Sequence, residues 1–128
     1  MNIKEQVLSI EQVQELQELG FDVKKHASLY FVEEKYFVKE NFIVLPEQID
    51  ITKVPEDVKI IPTMTIGDII NVLPFNIDTH YFLSINSEYC AYSMSGDFDT
   101  MFFTREKEFI NNLFNTLVWC IKQKYIEI

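Results

Sequence analysis

The chain has 128 residues, of which 48% are hydrophobic and 14% aromatic, with eleven Phe, six Tyr and one Trp. This length and hydrophobic content predict a single domain over residues 1–128 with one core, and they exclude wholesale disorder. The net charge is −9, from 20 acidic and 11 basic residues, and the sequence has neither an acidic tail nor a basic patch. A field of this sign argues against nucleic acid or an anionic membrane as a direct partner.

The N-terminus lacks the charged start, the apolar run and the small-residue cleavage site of a signal peptide. No apolar run approaches the roughly 18–20 residues needed to span a bilayer. We therefore expect a cytoplasmic protein that does not enter a membrane. Cys90 and Cys120 fall on predicted apolar faces, where they would pack as free thiols.

The first predicted helix carries signals at both ends. Ser9 is a good N-cap, and Gln12 three residues later completes a capping box. Gly20 ends the helix where a left-handed residue is needed. Phe21 can then fold back toward Leu16, the hydrophobic contact of a Schellman ending.

The next segment, residues 28–45, is rich in β-branched and aromatic residues around a Glu-Glu-Lys sequence, which predicts a β-hairpin. Residues 46–62 contain three prolines and no clean period. They are interpreted as a wrapped connection with one short extended piece at 59–61.

A short second helix is predicted after this connection. Thr65 caps it, Asp68 supplies the acidic partner three residues on, and Pro74 ends it.

The last third of the chain changes from a period of two to a period of 3.6 residues. Short strands are interrupted at Asn86-Ser87 and at Ser95-Gly96-Asp97, both typical turn sequences. Thr104 then opens a segment typical of an amphipathic helix. Its apolar residues occupy positions 109, 110, 113, 114, 117, 118, 121 and 125.

A two-residue turn at Asn86-Ser87 would place Leu83 opposite Cys90 and so assign each strand residue to one face of the sheet. The face expected to seat the last helix carries Tyr81, Leu83, Ile85, Cys90, Tyr92 and Met94. The reverse face carries His80, Phe82, Ser84, Tyr89, Ala91 and Ser93, and Phe98 and Phe102 are expected to join it. A slip of one residue would exchange the two faces.

The predicted fold is α+β, in the order α-β-β-α-β-β-β-α. An antiparallel sheet of four to five strands, a hairpin plus a meander, is packed by a long C-terminal helix and by the N-terminal helix.

No arrangement of residues in the sequence predicts catalysis, cofactor binding or a metal site. The two histidines and two cysteines form none of the zinc-binding spacings. Cys90, His80 and Asp97 are the only triad that can be assembled, and the predicted register puts Cys90 and His80 on opposite faces. Asp97 and Asp99 flank a turn that requires such residues for its backbone geometry.

Three segments carry a resemblance to other proteins: SIEQVQELQELGFDV at 9–23, PTMTIGDIINVLP at 62–74 and NLFNTLVWCIKQKYI at 112–126. They resemble a family of small uncharacterised proteins encoded in gut bacteria and in their phages or other mobile elements. In that family a capped helix ending in L-G-x-D, a T-x-x-D-x-x-x-x-L-P helix and a terminal W-C-I helix recur in this order. The shared motifs are caps, core positions and stops, so the resemblance implies an accessory protein of a mobile element and no site residue.

Two functions follow as hypotheses. The first is a non-enzymatic interaction protein that binds a protein partner, with a homodimer left open, through Phe82, Tyr89, Phe98 and Phe102. The second is a small-molecule binder or an enzyme with a pocket near His80, Asp97 and Asp99. An exposed aromatic patch would favour the first, and a deep pocket lined by convergent polar groups would favour the second.

Overall fold

The computed structural model describes residues 6–34, 42–44, 58–94 and 99–127. The described helices are α1 (Ile10–Glu18), α2 (Val23–His26), α3 (Ile66–Val72) and α4 (Phe109–Lys122). The strands are β1 (Leu29–Glu34), β2 (Phe42–Val44), β3 (Val58–Thr63), β4 (Asn76–Ile77), β5 (Tyr81–Ile85), β6 (Cys90–Met94) and β7 (Thr100–Thr104). The predicted α+β class is confirmed.

The strands are divided between two antiparallel sheets, in the orders β2-β1-β3 and β4-β5-β6-β7, whereas the sequence predicted one sheet. The expected hairpin is the β1–β2 pair, but Glu33 and Glu34, which were expected between its strands, belong to β1 and pair with β3. The short extended piece expected at 59–61 is the centre of β3, which pairs with β1 from Leu29↔Thr63 to Glu34↔Val58. Pro62 is tolerated because β3 lies at the edge of the described sheet.

Both capping boxes form as the sequence predicted. The Ser9 hydroxyl accepts from the Gln12 backbone, and the Gln12 side chain accepts from the Ser9 backbone. Gly20 has a φ of 88°, and the backbone N–H of Phe21 donates to the Leu16 carbonyl, which completes the Schellman ending of α1.

The cap of α3 also ties two distant segments together. Thr65 and Asp68 exchange the expected pair of bonds, and Asp68 additionally accepts from the backbone N–H and the hydroxyl of Ser28. The end of α2 is therefore held at the start of α3.

The pairing of β5 with β6 is shifted by two residues from the predicted register. Ile85 pairs with Cys90 and Leu83 with Tyr92. Asn86 produces the shift, because its side-chain oxygen accepts from the backbone N–H groups of Glu88 and Tyr89. A shift of two residues leaves every side chain of β5 and β6 on the face that the sequence assigned to it.

Helix α4 covers the predicted face of the four-stranded sheet. Leu113, Leu117 and Cys120 are fully buried, and so is Tyr92 on β6. The Trp119 ring seals this layer, with its centroid 5.7 Å from the Tyr92 ring.

Thr104 does not open this helix, contrary to expectation. It is the last residue of β7, buried opposite Cys90, and the N-cap of α4 is Glu108. The intervening loop is held by the buried amide of Asn112, which accepts from the Glu106 backbone N–H at 2.6 Å. Among the described residues, no helix is long and apolar enough to cross a membrane.

Candidate functional site

The reverse face of the four-stranded sheet presents aromatic rings that no described helix covers. We call this surface, formed by Phe82, Ser84, Tyr89, Ala91, Ser93 and Phe103, the aromatic face. Phe82 is 45% exposed and Phe103 is 54% exposed, whereas most large hydrophobic side chains of the described core are buried. The aromatic face therefore offers apolar surface that folding has not removed from water.

Strand pairing sets the order of side chains across this face. Ser84, Ala91 and Phe103 form one cross-strand row, and Phe82 lies opposite Ser93 in the next. The Tyr89 ring packs beside Phe103 with centroids 5.2 Å apart. Small side chains thus separate Phe82 from the Tyr89–Phe103 pair.

The structure places only part of the predicted aromatic set on this face. Phe82 and Tyr89 lie there as expected, and Phe98 lies outside the described residues. The expected position of Phe102 is wrong. This residue pairs with Tyr92 on the helix-covered face, and its ring stacks on Trp119 at 4.8 Å.

Phe103 takes the place that the sequence assigned to Phe102. The physical reason is an irregularity of β7, where Tyr92 pairs with Phe102 but Ser93 pairs with Thr100, so the alternation shifts by one residue. Two adjacent Phe residues in a strand must point to opposite faces. That rule shows from sequence alone that one of Phe102 and Phe103 lies on the aromatic face, although it does not decide which of the two is covered by α4.

Arg105 and Glu88 form an ion pair at the rim of the aromatic face, with a distance of 3.3 Å between Arg105 Nη2 and Glu88 Oε2. Both side chains are largely exposed, so the pair contributes little to stability. The six residues of the face itself are uncharged.

The nucleophile considered in the sequence is buried beneath α4. Cys90 has no exposed surface, and burial raises the pKa of its thiol, an effect that a hydrogen bond with Thr116 partly offsets. His80 is exposed in the turn that precedes β5. A protonated, buried thiol is a poor nucleophile, which adds to the reason that the predicted register gave against this triad.

The second cysteine belongs to a buried chain of hydrogen bonds. The Cys120 thiol donates to the Tyr92 hydroxyl at 3.6 Å, and that hydroxyl donates to the Pro74 carbonyl at 2.8 Å. Burial raises the pKa of Cys120 to about 11, and it raises the pKa of Tyr92 as well. Both cysteines are free, and the chain of bonds fixes Tyr92 under α4.

The alternative pocket near His80, Asp97 and Asp99 stays a prediction. Asp99 is exposed and accepts a hydrogen bond from the Tyr81 hydroxyl at 2.9 Å, while Asp97 lies outside the described residues. Within the described part of the chain, no group of three or more His, Cys, Asp and Glu side chains is placed to hold a metal ion.

In comparisons with known proteins, no family model, no curated protein and no solved structure matches this chain significantly.

Proposed function

We propose that the chain is a non-enzymatic accessory protein that binds another protein through its aromatic face. The observation that carries this proposal is the pair of half-exposed rings, Phe82 and Phe103, on a sheet whose other face packs against α4. Aromatic residues are enriched at protein interfaces, where they supply most of the binding energy as buried anchors.

The two rings would contribute binding energy if a partner covered them. Roughly 100 Å² of each Phe ring stays in contact with water, which corresponds to about 2.5 kcal/mol per ring if a partner covers it. Both rings stand on paired strands, so little conformational entropy is lost when they are covered.

The charge of the chain favours a partner with an apolar centre and a basic surround. With a net charge of −9, the chain attracts a positively charged surface over long range and repels nucleic acid. Because the contact face itself is uncharged, a partner can cover the rings without desolvating a charge. The acidic surface around the face would attract the partner electrostatically. The resemblance inferred from the sequence would imply an accessory protein of a mobile element, which agrees with this proposal.

Affinity capture with matched variants tests the proposal. The tagged chain is used to recover partners from cells of the source organism, and the bound proteins are identified by mass spectrometry. The double variant Phe82→Ser/Phe103→Ser should lose a partner that the unchanged chain retains.

Phe75→Ser is the control, because Phe75 is 77% exposed and does not belong to the aromatic face. It removes the same kind of ring and should retain the partner. Circular dichroism of each variant shows that the fold is intact. Capture of no specific protein by the unchanged chain, or equal capture by the double variant, would contradict the proposal.

A further inference from the structure

A cavity of about 440 Å³ lies between α2, α3 and the segment that follows α4. We call it the α2–α3 cavity. Its volume lies within the range of small-molecule sites. It shares no residue with the aromatic face, and nothing in the proposed function uses it.

Two polar side chains of this cavity are held in place. The His26 ring stacks on the buried Phe21 ring, with centroids 5.1 Å apart and planes 17° from parallel. The Asp68 carboxylate accepts from the backbone N–H groups of Thr65 and Ser28, each at 3.0 Å, and from the Ser28 hydroxyl. A carboxylate has about four acceptor positions, so Asp68 retains one for a ligand.

Three further polar side chains, all exposed, line the same cavity. Lys25, Asn71 and Glu127 line the cavity, and in the described ranges none of them has a hydrogen bond or ion pair to another side chain. Lys25 supplies up to three donors and Glu127 only acceptors. The cavity therefore combines an unpaired cation with unpaired anionic acceptors.

We propose that the α2–α3 cavity binds a free α-amino acid with an aliphatic side chain. The ligand carboxylate would pair with Lys25 and the His26 imidazole, and its ammonium group with Asp68 and Glu127.

Val72 and Ile126, both partly buried, supply apolar surface for the ligand side chain. A ligand with only a negative charge would leave the Asp68 and Glu127 carboxylates without a cationic partner. A ligand with only a positive charge would leave Lys25 without an anionic partner. A zwitterion matches both signs.

NMR titration of the isotope-labelled full chain with three probes tests whether the cavity requires both charges of the ligand. Leucine carries both charges, N-acetyl-leucine only the carboxylate, and leucinamide only the ammonium group. With leucine at up to about 10 mM, we expect saturable shifts of the amide signals of Lys25, His26, Asn71 and Glu127. Each singly charged probe should bind at least about tenfold more weakly, because it lacks one charge-assisted pair.

Variants separate this site from adventitious binding. Lys25→Met and Glu127→Gln should each weaken leucine binding by about tenfold or more. Lys24→Met is the control, because Lys24 is also exposed and does not line the cavity. It should leave the binding of leucine unchanged.

Three results would overturn the proposal. These are amide signals that show no saturable shift with leucine, equal affinity for the three probes, and a Lys24→Met variant that weakens leucine binding as much as Lys25→Met does. None of them bears on the capture experiment, which depends on Phe82 and Phe103.

Discussion

The two faces of the four-stranded sheet carry similar residues and differ in what covers them. On one face, Tyr92 and Phe102 lie under α4 and contact Trp119. On the other, Phe82 on β5 and Phe103 on β7 each leave about half of their surface in water. Aromatic content alone therefore does not distinguish a core residue from a surface residue, and the position of one helix makes the difference.

The chemistry of the covered face follows from its burial. The Cys120 thiol pairs with the Tyr92 hydroxyl, and that hydroxyl pairs with the Pro74 backbone, because an unpaired polar group would cost free energy there. The described residues of the uncovered face are rings and small side chains that form no such network. We infer that the first face stabilises the fold and the second is available for binding.

The largest effect should come from opening a cavity under α4. Leu117→Ala removes a fully buried side chain and should lower the free energy of unfolding by about 3 kcal/mol. Phe82→Ala on the other face should lower it by less than about 1 kcal/mol. Urea denaturation followed by Trp119 fluorescence measures both, and equal losses would contradict the assignment of the faces.

A narrower comparison uses two adjacent residues of β7. Phe102→Ala should cost about 2 kcal/mol and change the Trp119 emission, because the two rings stack. Phe103→Ala should cost less than about 1 kcal/mol and leave the emission unchanged. If Phe103→Ala lowers the free energy of unfolding more than Phe102→Ala does, the assignment of these two residues to the faces of β7 is wrong.

The covered face should also make stability depend on alkaline pH. Burial raises the pKa of Cys120 from 9.0 to about 11 in the folded chain. The folded state thus disfavours ionisation, so this contribution is fully present below pH 9 and is lost as the pH rises toward 11.

The loss from this thiol should be on the order of 2 kcal/mol, with a smaller loss for Cys120→Ser, whose hydroxyl does not titrate in this range. Denaturation at a series of pH values measures it. Phe103→Ala should retain the full pH dependence, since it leaves the covered face intact. A pH dependence that is unchanged in Cys120→Ser would show that another group is responsible.

The smallest effect concerns the turn between β4 and β5, which leaves both faces intact. Asp78 and Thr79 have φ values of 55° and 61°, and the His80 N–H donates to the Ile77 carbonyl. A β-branched residue is strained at positive φ, so Thr79→Gly should raise the free energy of unfolding by about 1 kcal/mol. Thermal unfolding measures the gain. A loss of stability would mean that the Thr79 side chain has a role that its backbone does not reveal.

The sequence predicted the features that depend on neighbours a few residues apart. The capping boxes at Ser9 and Thr65 and the ending at Gly20 each join residues no more than five positions apart, so composition and spacing suffice to specify them. The faces of β5 and β6 were also predictable, because an error of two residues in a register does not move a side chain to the other face.

Other features depended on contacts between distant segments. The strands divide into two sheets because β3 returns to pair with β1, and no local pattern names that partner. The predicted register of β5 with β6 was wrong because hydrogen bonds to the Asn86 side chain stabilise a different turn.

The sequence by itself thus determined the helix ends, the α+β class and the amphipathic character of α4. Only the tertiary structure decided that Phe102 lies under Trp119 while Phe103 faces water, and that His26, Asp68 and Glu127 border one cavity. The reason is physical. A cap is a bond between near neighbours, whereas the covering of a ring or the closing of a cavity depends on where the rest of the chain packs.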